Sequence, residues 1–100
     1  MDPRGAYELE ADARIAVSLA FYSRGAILRA CYAFTDRADL WVEPAEDDAL
    51  LVAITRQRPE DELRTLLGDF FNALVDFQLR DLISRETADT RTALVRAALG

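Results

Sequence analysis

The side chains best equipped for chemistry crowd into one short run, "ALVDFQLRD", residues 73–81, which holds Asp76, Gln78, Arg80 and Asp81, with Glu86 just beyond. Paired carboxylates can share acid and base work when their surroundings push their pKa values apart. Nothing in the spacing of Asp76, Asp81 and Glu86 predicts such a split, so the same groups read more naturally as polar positions on a binding surface. The rest of the chain narrows the choice. It has no histidine, a single cysteine (Cys31) and no lysine among its twelve basic residues. A zinc or iron–sulfur site needs several His or Cys ligands. A Ser-His or Cys-His nucleophile pair needs the imidazole, and Schiff-base chemistry needs an amine. The expectation is a protein without catalytic residues, cofactor or metal of its own.

Charge narrows the partners. The formal net charge is −6 and the arginines are scattered, whereas nucleic-acid binders gather cations to meet phosphates. No nucleic acid is expected. The N-terminal "MDPRGAYELEADAR" is polar and acidic, unlike a secretory signal, and no apolar run is long enough to span a bilayer. The chain therefore reads as soluble and cytoplasmic, without a membrane partner. One hundred residues, about half of them apolar, suit one modest globular core.

The elements that position the polar run follow from hydrophobic periodicity. Residues 1–14 form a flexible lead-in to a single α+β domain over 15–100. "IAVSLAFY" alternates as a half-buried strand, with Ile15, Val17, Leu19 and Phe21 on one face and Ala16, Ser18, Ala20 and Tyr22 on the other. Ser23 is an N-cap for the helix "RGAILRACYAF", which buries Ile27, Ala30, Cys31 and Phe34. "LWVE" and "ALLVAIT" form a hairpin around "PAEDD". Leu40 and Val42 share its inner face with Leu50, Val52 and Ile54, while Trp41, Leu51 and Ala53 take the outer one. Pro59 and the acids Glu60 to Glu62 open a helix that runs to about Ser84. "RETAD" should break it before a last helix over 90–99. The order β-α-β-β-α-α gives a small antiparallel three-stranded sheet with helices on one face. With the third strand central, this is a truncated ferredoxin-like fold whose first strand has an open edge.

On a helical wheel Leu63, Leu67, Phe70, Leu74 and Phe77 fall in one sector, and Asp81 lands in its middle with Gln78 at the edge. Leu79 and Ile83 emerge on what had been the polar side. Either the helix outruns its sheet and packs Leu79, Leu82 and Ile83 on the returning last helix, leaving Gln78 and Asp81 to water, or Leu79 and Ile83 face another chain and Asp81 is a positioned polar group. Asp76 and Arg80 have the favourable i,i+4 spacing of a helix-surface ion pair.

Asp76, Phe77, Leu79, Arg80 and Asp81 resemble the "LLNDYxLRE" signature of the HxsD family, small proteins of bacterial His-Xaa-Ser peptide-modification systems. "FYSRGAILRACYAFTDRA" upstream and "RETADTRTALVRAAL" downstream are also similar to the family. This chain has Ala73 and Val75 in place of the signature's leucine and asparagine, Phe77 for tyrosine and Asp81 for glutamate. The resemblance implies an accessory protein that works beside two radical-SAM enzymes and a precursor carrying His-Xaa-Ser repeats, the radical chemistry belonging to those enzymes.

Three surfaces are candidates for partner binding: the outer sheet face with Tyr22, Trp41 and Leu51; the open edge of the first strand; and the helix end with Asp76, Leu79, Arg80, Asp81 and Ile83. The leading reading is an adaptor for the precursor, the enzymes or both. The alternative is a structural homodimer or scaffold that does not recognise the peptide.

Overall fold

The computed structural model describes the backbone of residues 11–99 and the side chains among them except those of 89–95 and 99. Most of the expected lead-in, residues 1–10, lies outside the described residues. Five elements follow one another: β1 (Ala13–Ser18), α1 (Arg24–Ala33), β2 (Ala38–Ala45), β3 (Ala49–Arg56) and α2 (Leu63–Leu99). The sheet is antiparallel in the order β1-β3-β2, so the third strand is central, as the truncated ferredoxin-like reading requires. Among the described residues no strand pairs with the outer edge of β1.

The hairpin register places Leu40 opposite Ile54 and Val42 opposite Val52. This puts the alternating apolar residues of both strands on the face beneath the helices. Asp47 and Asp48 close the turn with φ of 59° and 54°, a left-handed conformation that aspartate tolerates better than most residues. Pro44 costs no ladder bond that matters, because β2 is an edge strand. Ser23 caps α1 by accepting the Ala26 N–H at 3.0 Å. Ile27, Ala30, Cys31 and Phe34 then join Val17, Leu50, Val52, Ile54, Leu66, Phe70 and Leu74 in one buried core. Phe34 and Phe70 meet edge-to-face, their ring centroids 5.6 Å apart. Outside this core, Arg37 ties the end of α1 to Asp69 of α2 at 2.9 Å.

Two sequence expectations are corrected. β1 ends at Ser18, and Leu19 to Tyr22 form a turn rather than more strand. The turn is closed by the Tyr22 N–H on the Ser18 carbonyl at 3.0 Å, while the Leu19 N–H is held by the Asp48 carbonyl at 2.9 Å. Alternation alone could not reveal this, since a turn interrupts the ladder without interrupting the pattern. The expected break at "RETAD" also does not occur: α2 continues through it to Leu99. Neither glycine nor proline occupies residues 69–99; threonine and aspartate lower helix propensity without ending a helix, and alanine favours it. The order is thus β-α-β-β-α. At about 1.5 Å per residue the last helix is roughly 55 Å long, which sets the 59 Å longest dimension of the molecule.

Candidate functional site

The turn after β1 and the middle of α2 enclose a cleft of about 630 Å³. One wall is the stretch from Leu19 to Gly25, the other is Gln78, Asp81, Leu82 and Arg85, and Asp48 of the hairpin turn closes one end. The wheel anomaly is explained here. Gln78 and Asp81 sit on the core-facing side of α2, but at their level the sheet has ended and the β1–α1 turn stands in its place. Polar side chains suit that neighbour. Gln78 Oε1 accepts the Ser23 N–H at 2.7 Å, occupying the backbone donor of the very residue whose hydroxyl caps α1. Gln78 does not simply meet water.

Asp81 is the more unusual group. Its side chain is 22% exposed and lies 3.3 Å from Arg85 Nε through Oδ2. That oxygen is sealed from solvent and has no hydrogen bond among the described residues. The ion pair is therefore a Coulombic contact without the directional bond that makes a carboxylate–guanidinium pair strong. A buried acceptor left in this state costs free energy until a donor reaches it. Around it are Tyr22, half-buried against the core, and Phe21, 79% exposed at the rim.

The other residues singled out in the sequence lie apart. Tyr22 is not on the outer sheet face with Trp41 and Leu51, because the strand has ended four residues before it. Trp41, opposite Ala53 in the ladder, is half-buried on that face, and its Nε1–H donates to Glu43 Oε2 at 3.1 Å. Leu51, opposite Ala16 and Glu43, is half-buried too. Asp76 and Arg80 form their ion pair at 3.1 Å on the exposed side of α2, where Arg80 also lies 5.9 Å from the centroid of Phe77. Leu79 and Ile83 are 54% and 53% exposed. Since α2 does not turn back, no returning helix covers them. Of the eight, only Tyr22 and Asp81 line the cleft.

Ser23, Asp48 and Arg85 were not identified as site residues from sequence. Arg85 was legible as the i+4 partner of Asp81, and Ser23 as a cap. Asp48 was not, because only the fold brings the hairpin turn to the end of β1. Elsewhere the described residues hold no cluster of three or more His, Cys, Asp or Glu suited to a metal ion. Cys31 is buried in the core, and burial pushes its thiol up to about 11. Among the described residues no helix is long and apolar enough to cross a membrane.

Compared with known proteins, the chain matches no curated protein and no solved structure. A family model described as "His-Xaa-Ser system protein HxsD" matches residues 17–100. The match takes in the turn, the capped helix, the hairpin and the long helix, which is to say every segment that lines the cleft. This protein belongs to the HxsD family.

Proposed function

We propose that the protein is a non-catalytic accessory factor of a His-Xaa-Ser peptide-modification system, and that it holds the precursor peptide in the cleft between the β1–α1 turn and α2. The observation that carries this reading is the Asp81 carboxylate, 22% exposed and part of the cleft lining, with its Oδ2 lacking a hydrogen bond among the described residues and aromatic Tyr22 and Phe21 in the same lining. Histidine and serine side chains supply the complementary groups: an imidazole N–H or a hydroxyl to donate, and in histidine a flat ring to pack on an aromatic. In an extended peptide, residues i and i+2 project to the same side about 7 Å apart, so both side chains of one repeat can enter one cleft.

The strand edge adds to the argument. Among the described residues the outer edge of β1 is unpaired, and the cleft begins at Leu19, directly after the strand. A peptide added along β1 gains backbone hydrogen bonds and runs on into the cleft, the usual division of labour in strand addition. The chain's net charge of −6 favours approach of a histidine-bearing peptide, an effect damped by salt. Under this reading the two radical-SAM enzymes act on a substrate that this protein presents.

The test is co-purification. The tagged protein is expressed with the two radical-SAM enzymes and the repeat-bearing precursor, and the eluate is weighed by light scattering. The expected result is retention of the precursor by wild-type protein and its loss from Asp81→Ala and Tyr22→Ala variants. Retention of an enzyme without the precursor, or of nothing, overturns peptide presentation.

A further inference from the structure

The side of α2 turned away from the core carries a second apolar line of its own. Leu66, Phe70 and Leu74 face the core. Roughly 140° around the helix from them, at 3.6 residues per turn, runs a separate line centred on Val75. It comprises Arg64, Gly68, Phe71, Val75, Leu79, Leu82 and Glu86, all exposed, with the four apolar chains between 44% and 55% accessible. From Arg64 to Glu86 the steps are four, three, four, four, three and four residues. That spacing averages about 3.7 residues, close to the 3.6 of a straight helix, so over these turns the line drifts only slightly and stays on one side; the residual mismatch favours a slight right-handed crossing.

The spacing is also palindromic, and the residues related by the palindrome complement one another. In an antiparallel pair with its two-fold axis at Val75, Phe71 packs beside the second copy's Leu79, and Gly68 beside its Leu82. Gly68 has nothing within 4 Å of where a side chain would begin. It floors a groove of about 490 Å³ with Leu63, Leu67 and Phe71 on its sides, a ready seat for a leucine. At each end Arg64 meets Glu86 of the other copy. Among the described residues neither takes part in an ion pair. A parallel arrangement sets Arg64 on Arg64 and Glu86 on Glu86, and loses the glycine–leucine fit.

We infer that the protein is a homodimer joined by antiparallel packing of α2 across Val75, with paired Arg64–Glu86 contacts at both ends. The interface does not depend on peptide binding: Asp81 lies about 120° around the helix from the line, and only Gln78, about 60° from it, and Leu82 border both surfaces. Dimerisation places two clefts on one particle, which suits a precursor with repeated recognition units.

Light scattering and sedimentation equilibrium on the full chain, without peptide, test the inference. The wild-type protein is expected at twice its 11.2 kDa chain mass, and Val75→Arg at the single mass, because two cations then meet on the axis. Arg64→Glu or Glu86→Arg alone should weaken the dimer by roughly tenfold through two like-charge contacts, and the double reversal should restore it. Circular dichroism checks that each variant is folded; if Val75→Arg is not, the charge-reversal series decides. A wild-type monomer at about 100 µM, a dimer that Val75→Arg leaves intact, or a double reversal weaker than either single change each overturns the interface.

Discussion

Replacing Gln78 should loosen the hinge point between the two walls of the cleft. Its Oε1 sits 2.7 Å from the Ser23 amide in a part-buried setting. Ser23 is the cap of α1, and its own hydroxyl is already committed to Ala26. In Gln78→Leu the N–H loses its acceptor while the site stays closed to water by a side chain of similar size. A backbone hydrogen bond contributes about 1 kcal/mol, and an orphaned buried donor costs about 1–3. Because the site is only part-buried, a loss of about 1.5 kcal/mol is expected. For a domain of this size that lowers Tm by roughly 6–12 °C. Gln78→Glu keeps an acceptor and places negative charge near the N-terminus of α1, so it should retain most of the stability. Urea titration followed by circular dichroism measures both. If Gln78→Leu is as stable as wild type, or Gln78→Glu is the worse of the two, the hydrogen bond does not hold the turn to the helix.

Phe70, 1% exposed and stacked edge-on with Phe34, should cost about 3–5 kcal/mol when changed to alanine. The pair Leu79→Ala and Ile83→Ala, both more than half exposed, should change the unfolding free energy of the dissociated chain by less than about 1 kcal/mol. Equal losses in urea titrations would mean that Leu79 and Ile83 are covered. Asp12 accepts the Arg56 Nε–H at 3.0 Å and the Arg56 backbone N–H at 2.8 Å, and these bonds hold its carboxyl below the ordinary 3.8. With the folded value depressed, its contribution is complete above that pH and is lost as pH falls through the folded value. The gap in Tm between wild type and Asp12→Asn should thus be constant near neutrality and close in acid; a gap that widens in acid refutes the assignment. Cys31, with its thiol pushed up to about 11 by burial, should resist alkylation at pH 8 in the native state and react fully in denaturant. Rapid native modification, read by mass spectrometry, would contradict the packing of α1.

The fold was legible wherever a periodic pattern met a punctuating residue. Ser23 before the apolar face of α1, and the acids Asp47 and Asp48 between β2 and β3, marked real boundaries, whereas Pro44 lies inside β2, opposite Leu50. The inner-face pairings of Leu40 with Ile54 and Val42 with Val52 followed from alternation. Two features were illegible for different reasons. Leu19 to Tyr22 continue the alternation of β1 while leaving its ladder, and the bond that takes them out of it, to Asp48, is long-range. The run around "RETAD" is polar enough to suggest a loop, but polarity does not break a helix unless the backbone is also released, and no glycine or proline is there to do so. Pro59 and Glu60 to Glu62, read as the opening of α2, instead lie in the connection before it, since the helix begins at Leu63. The wheel found Gln78 and Asp81 as anomalies. It could not show that the displaced sheet is replaced at their level by a turn, and the cleft exists because of that replacement.

Peptide recognition by the cleft is tested most directly by isothermal titration of a synthetic peptide carrying His-Xaa-Ser repeats into wild-type protein and Asp81→Ala. The account expects saturable binding to wild type, at least tenfold weaker binding to the variant, a difference of about 1.4 kcal/mol or more, and a similar loss when the peptide's histidines become alanine. Equal affinity for both proteins, or for both peptides, would contradict the role assigned to Asp81.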